Sequence, residues 1–363
     1  MRDRRFAFAV GVAIVVGAVS LAWSPVAGQT AAASKAKAPA AAAGKYTPPR
    51  TADGQPDLSG VWANNSATPL ERPKEFGDRA FLTDEEVARL QRRANEIFGS
   101  GADAAFGDDF FKAALAGDSN VADRSFRSFD KVTGNYSAVW IVGRDFDKRT
   151  SLITDPPGGR IPALTPAAQA RQGGSYVRVS GENELDLGKF DGPEDRPLSE
   201  RCITFGFPDT LAGYNSYYQI MQSPGYVAIY SERIHDTRII PLDGRPHVAP
   251  DVHLWMGDSR GRWEGDTLVV DTTNFFAKSA FLGATESLHL IERFTRVGPT
   301  TINYEFRVED PTTWTKPWTV MIPLKRSDEH IYEYACHEGN SALTGVLAGA
   351  RVQEKTAVST KQQ

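Results

Sequence analysis

Cysteine is almost missing: the 363-residue chain has two, Cys202 and Cys336. Neither stands in a C-x-x-C or zinc-ligand array, which argues against dithiol redox catalysis and against a structural thiolate metal centre. In an oxidising compartment two such thiols are expected to join as a disulfide closing a long loop, with two separate buried thiols as the alternative. An excess of positive charge is missing too, with 41 Lys and Arg against 45 Asp and Glu and a net charge of −4. No basic field gathers phosphates, so nucleic acid is not expected as a partner. After residue 23 the chain has no long apolar run and no basic amphipathic helix, so stable membrane insertion of the mature chain is not expected. An alternating β-α pattern, the mark of a parallel α/β fold, is absent as well.

The N-terminus carries Arg2, Arg4 and Arg5, then an uncharged apolar stretch over residues 6–23, then the small residues Val26-Ala27-Gly28. This order reads as a secretory signal over residues 1–28, cleaved after Gly28, with an uncleaved anchor as the alternative. The expected location is periplasmic or secreted. Residues 29–57, rich in Ala, Lys, Pro and Gly, cannot bury enough surface to offset the entropy of ordering and read as a flexible leader. The folded chain is then expected from Leu58, as an N-terminal segment of helices, loops and first strands over 58–200 and a β core with a C-terminal helix over 201–354. Residues 355–363 read as a disordered tail.

Thr83 followed by Asp84, Glu85 and Glu86 forms a capping box ahead of Val87, Leu90, Ala94, Ile97 and Phe98 at helical spacing. A second helix is expected over 108–116, a short Pro-initiated one at Thr165, and a terminal one over 341–354 whose stripe of Leu343, Val346, Leu347 and Ala350 would pack on the sheet. Elsewhere strands dominate, at 136–143, 217–222, 226–232, 237–242, 252–256, 262–264, 267–273, 288–297, 301–308, 318–324 and 331–336. Connections this short join only antiparallel neighbours, which predicts a mainly β fold: an antiparallel meander closed as a barrel or folded as a sandwich, with a few peripheral helices.

Four stretches, Asp57-Leu58-Ser59-Gly60-Val61-Trp62, Thr150–Ile153 with Asp155-Pro156-Pro157, Trp263-Glu264-Gly265-Asp266-Thr267-Leu268-Val269-Val270, and Glu333-Tyr334-Ala335-Cys336-His337-Glu338-Gly339-Asn340, resemble those of a family of uncharacterised exported proteins from environmental bacteria. The resemblance spans most of the mature chain and implies export without implying an activity. A looser one is to lipocalin-like (calycin) barrels, in which a Gly-x-Trp element such as Gly60-Val61-Trp62 opens the barrel and a Trp-x-Gly-Asp hairpin follows; it implies a ligand-holding barrel.

Several residues are candidates for chemistry. Gly257-Asp258-Ser259-Arg260-Gly261 matches the G-x-S-x-G pattern of serine hydrolases, but a strand follows it where a helix is needed, so Ser259 is expected in a hairpin turn. His235, His247 and His253 lie in one region with Glu232, Asp236, Asp251 and Asp258, as a His/carboxylate acid-base pair or metal site, or as plain surface. His337 and Glu338 follow Cys336 at the expected end of the last strand, placed either to act as a base or to cap a helix. His289 and Glu292 lie on opposite faces of one strand, and Glu292 shares its face with Leu288, Leu290 and Phe294. There it serves as a general acid or pairs with an arginine, with Arg238, Arg245, Arg260 and Arg293 as available partners. The catalytic candidates are therefore His235, His337, Glu292 and Glu338; the ligand-binding candidates are Arg238, His247, Trp255, Arg260 and Tyr304. No cofactor or metal is specified.

Two functions follow. The first is an exported β-barrel protein binding a small, partly apolar molecule; the second is an exported lyase, isomerase or hydrolase using His and carboxylate residues in the barrel cavity, with or without a metal. A structural envelope protein without a pocket is a third reading. Whether the chain is an enzyme, and its oligomeric state, stay open.

Overall fold

The computed structural model describes residues 46–98, 105, 108–116, 143–172, 176–177, 185–186, 190–279 and 281–361. Residues 1–45, which hold the expected export signal and most of the expected leader, and residues 136–142 of an expected strand lie outside them.

Period-two alternation builds the body of the protein. In β10 (His289–Gly298), β11 (Thr301–Glu309) and β12 (Trp318–Ser327) alternate residues are buried, so that Leu290, Glu292 and Phe294, then Ile302, Tyr304, Phe306 and Val308, then Trp318, Val320, Ile322 and Leu324, form one inner face. The remaining strands are β1 (Gly60–Ala63), β2 (Ile153–Asp155), β5 (Tyr217–Ser223), β6 (Tyr226–Ser231), β7 (Thr237–Pro241), β8 (Asp258–Glu264) and β9 (Thr267–Thr273), with a separate ribbon of β3 (Tyr176–Val177) and β4 (Leu185–Asp186). The main sheet has ten strands in the order β7-β6-β5-β1-β12-β11-β10-β9-β8, with β2 added against β12. All its pairings are antiparallel. It is thus a meander from β5 to β12 into which β1 is inserted between the last strand and the first.

The sheet is rolled, but its hydrogen-bond ladder does not close. β7 and β8 are consecutive in the chain yet stand at the two ends of the strand order. They meet through side chains: Arg238 of β7 donates to Ser259 of β8 at 2.9 Å, and a Cβ on Gly261 would lie 2.5 Å from Leu242 Cδ2 and 2.8 Å from Ile240 Cγ2. Only a glycine permits that approach of the two edges. The inner faces of all strands from β5 to β12 and of β1 share one apolar core, floored by Phe281, Trp314 and Trp318. The segment 203–216, in which Leu211 and Ala212 are buried, covers part of it through Phe207, which packs against the core.

A second, smaller core belongs to the helices. α1 (Asp84–Phe98) starts at Thr83, whose backbone N–H donates to Glu86 Oε2 at 2.8 Å while Thr83 Oγ1 accepts from the Glu86 N–H at 3.3 Å. Its Leu90 and Ala94 pack with Phe110 and Phe111 of α2 (Asp108–Leu115). α3 (Pro166–Gln172) begins after Thr165, whose hydroxyl accepts from the Ala168 N–H at 3.1 Å.

The structure departs from the expected pattern in five places. Residues 252–256 form turns with one bridge from Leu254 to Phe275, because Asn274 donates its side-chain amide to the carbonyls of Ala249 and Val252 and folds the segment into a loop. β8 consequently starts at Asp258. Residues 331–336 form no strand. β12 is already flanked by β11 on one side and by β1 and β2 on the other, and the segment is held by the Tyr332 N–H donating to Glu232. The terminal helix α4 (Ala342–Lys361) runs into the tail expected to be disordered. Its stripe is only half-buried and belongs to neither core; Arg351 fastens it to the Phe190 and Asp191 carbonyls. Finally, order begins ahead of Leu58, where Arg50 bridges Pro56 and pairs with Asp266 at 2.6 Å. Cys202 and Cys336 form the expected disulfide across 134 residues, with Cα atoms 5.7 Å apart.

Candidate functional site

Period two turns Arg238, Ser259, Thr272, Glu292 and Tyr304 to the inner face from five different strands. They meet in one cluster. Arg238 grips Glu292 with both terminal nitrogens, Nη1 to Oε1 at 3.1 Å and Nη2 to Oε2 at 2.7 Å. Tyr304 donates its hydroxyl to Glu292 Oε1 at 3.0 Å, and Ser259 and Thr272 share a hydrogen bond of 3.0 Å beneath the guanidinium. The ion pair is almost dry, with side-chain exposures of 6% and 0%. Burial also holds the Tyr304 hydroxyl well above its ordinary pKa, so it stays a donor. The second face of the guanidinium lies 3.6 Å from the ring centroid of Phe207, itself half-buried in the covering segment. The Nε–H of Arg238 is buried and has no acceptor.

The covering segment is itself anchored. Asp236 accepts from the Thr204 hydroxyl at 2.7 Å and from the Phe205 N–H, and burial pushes its carboxyl up to about 6. Asp209 pairs with the fully buried Arg233 and accepts from the Tyr218 hydroxyl at 3.3 Å.

A second cluster lies on the outer face. Asp271 of β9 and Asp258 of β8 face the loop after β7, where His247 sets Nδ1 2.9 Å from Asp258 Oδ2 and Nε2 3.1 Å from Asp271 Oδ1. On the far side of Asp271, His289 Nε2 is 3.1 Å from both carboxylate oxygens, and its Nδ1 is 3.5 Å from Glu309 Oε2. The result is a row of five alternating carboxylates and imidazoles, about a third exposed at the rings (28% and 33%). Its Asp258 end is neutralised by Arg260 at 2.6 Å and its Glu309 end by Arg307 at 2.6 Å. The Asp271 side chain lifts His289 above the ordinary imidazole value and is itself held below the ordinary carboxylate value by that contact.

The expected site residues are therefore divided. Arg238, Glu292 and Tyr304 come together inside, and Glu292 pairs with the arginine rather than standing free as an acid. His247 and Arg260 lie outside, on the other side of the sheet. Trp255 is 39% exposed and packs edge-on against Phe276. His235 is exposed at a left-handed turn with φ 49°, and His253 lies 3.3 Å from the Pro250 carbonyl. His337 and Glu338 are exposed in a turn, since no strand precedes them. Neither belongs to the inner or the outer cluster.

Ser259 is not in a hairpin turn but inside β8, facing the core. Both glycines of its G-x-S-x-G match are packing devices: Gly261 lets β7 approach, and Gly257, at φ +65°, would set a Cβ 2.7 Å from Thr272 Cγ2 and the Thr273 carbonyl. Sequence reading did not single out Phe207, Asp271, Thr272 or Glu309. Asp271 is the one with a signal, an acid directly after the apolar run Leu268-Val269-Val270.

Among the described residues no helix is long and apolar enough to cross a membrane, and no three or more His, Cys, Asp and Glu side chains are set as a metal shell. No protein-family model, curated protein or solved structure matches this chain.

Proposed function

We propose that the chain is an exported binding protein whose rolled sheet takes a small, partly apolar ligand on its inner face, in the manner of a lipocalin-like barrel. The observation that carries this reading is the Arg238–Glu292–Tyr304 cluster. A buried ion pair contributes less stability than well-packed apolar side chains of the same volume, so its place in an otherwise apolar core suits recognition better than support. The unpartnered Arg238 Nε–H is a donor for a ligand carbonyl or carboxylate, the surrounding Phe294, Phe306 and Tyr218 supply an apolar wall, and Phe207 is the cover that yields. Trp62 of the Gly-x-Trp element is fully buried, donates its indole N–H to the Leu58 carbonyl at 2.8 Å and lies between the guanidiniums of Arg296 and Arg326, which supports the lipocalin-like comparison. Export, to the periplasm or beyond, is supported by the N-terminal pattern and the disulfide. Membership of the exported bacterial family stands on the four sequence stretches.

A thermal-shift screen of amphiphilic carbonyl and carboxylate compounds on residues 29–363 tests the reading. Saturating ligand at 100 times its Kd is expected to add about 2.7 kcal/mol. The double change Arg238→Met with Glu292→Met, which leaves no buried charge unpaired, should abolish the shift while keeping the fold, and Phe207→Ala should speed ligand entry. If the double variant responds to the same compounds as the wild type, the inner cluster is not the site. A second reading, an exported enzyme working by acid-base chemistry, draws on the accessible His247–Asp271–His289 row; turnover lost on Asp271→Asn and kept on the double variant would favour it.

A further inference from the structure

Each ring nitrogen of His247 and His289 faces a carboxylate: Asp258 and Asp271 for the first, Asp271 and Glu309 for the second. A neutral imidazole has one N–H and one lone pair, so with acids at both ends it must turn a lone pair on an anion. Only the imidazolium donates both ways. Arg260 and Arg307 already serve the outer carboxylates, and Arg307 also lies 3.8 Å from Asp155 of β2. The ion pairs of Asp271 among the described residues are with the two rings alone. Of the other titratable groups of the loop, Asp243 and Arg245 are paired with each other, and among the described residues no ion pair joins Asp251 or His253 to the row.

The place of His247 in the chain gives this row a consequence. It sits in the loop that joins β7 to β8, the one junction of the meander without a ladder. Asp258 Oδ2, which faces the His247 ring, also accepts the Val248 N–H at 3.1 Å, and Arg260 donates to the Pro246 carbonyl at 3.0 Å. Directly inside the same seam, Arg238 reaches across to Ser259.

We propose that the row Asp258–His247–Asp271–His289–Glu309 is a proton-operated latch on the β7–β8 seam: with both rings cationic it fastens the loop to β8, β9 and β10, and proton loss loosens residues 243–248 and the seam behind them. The latch stands on its own geometry. Its use as a gate to the inner cluster rests on the ligand-binding reading above.

Amide exchange of the full mature chain, corrected for the intrinsic pH dependence, tests the latch without any ligand. The Val248 amide is the reporter. In the wild type its protection should fall at least tenfold between pH 5.5 and pH 8.5, while amides in the middle of β11 stay unchanged. In Asp271→Asn it should be low and independent of pH. The His289 ring should titrate above a free imidazole in the wild type and return toward it in Asp271→Asn, and Val248 protection should lose its pH dependence in His247→Gln, a surface change that leaves the core intact. Val248 protection that is equal at both pH values in the wild type, or that is as pH-dependent in His247→Gln as in the wild type, overturns the proposal. Loosening of the seam without any gain in ligand entry rate at high pH would leave the latch in place and remove only its role as gate.

Discussion

The two polar clusters of the sheet are built from similar pairs in opposite surroundings. Inside, a guanidinium is locked to Glu292 in a nearly water-free core. Outside, imidazoles bridge carboxylates in contact with solvent. The same sheet thus carries a charge pair sealed from water and, one strand thickness away, a pair set open to it. Burial decides the difference in energy as well: a lost partner inside strands a charge, whereas a lost partner outside is replaced by water.

The contrast can be broken most sharply from inside. Glu292→Ala leaves Arg238 unpaired and should cost about 3–5 kcal/mol in urea denaturation, while the double change Arg238→Met with Glu292→Met should recover most of that loss. A double variant as unstable as the single one would show that the pair itself holds the fold. The next effect is smaller. Reducing Cys202–Cys336 removes the tie between the start of the covering segment and residue 336, and should lower stability by about 2–4 kcal/mol, read as a drop in Tm with and without reductant.

The smallest effect should come from the outer row, where Asp271→Asn is expected to cost under about 1 kcal/mol at pH 6 because solvent screens the rings. Its signature is in the pH profile. His289 has a folded pKa above 6.5, so its contribution is complete below that value and is lost as pH rises through the raised one. Asp271 has a folded pKa below 3.8, so its contribution is complete above that value and is lost as pH falls. Both contributions are complete between pH 3.8 and pH 6.5, so the wild-type curve should fall away on either side of that window where that of Asp271→Asn is flatter.

Much of this was legible from spacing. Period two in β10 placed Glu292 inward with Leu290 and Phe294 and His289 outward, and the short connections required an antiparallel meander. What spacing does not carry is the partner on another strand. Arg238 is 54 residues from Glu292, and His247 meets Asp271 only because a loop folds back over two strands. Two segments of strand-like composition, 252–256 and 331–336, stayed loops because a strand needs a free neighbour as well as the right residues, and Asn274 and Glu232 claimed their backbones instead. The G-x-S-x-G match misled for a related reason: its glycines are needed where strands approach, and nothing in the motif distinguishes that need from a nucleophile's turn.

The insertion of β1 has a consequence for the order in which the chain can be completed. Gly60–Ala63 pairs with β5 on one edge and β12 on the other, at registers that include Val61 with Gln219 and with Ser327. The four residues are therefore the keystone between two staves, one of them delivered more than a hundred residues after the other. A chain emerging from its N-terminus must hold this keystone unset until its last strand arrives. A chain lacking it would carry a vacant groove of matching length, ready to be filled by the same short peptide supplied separately.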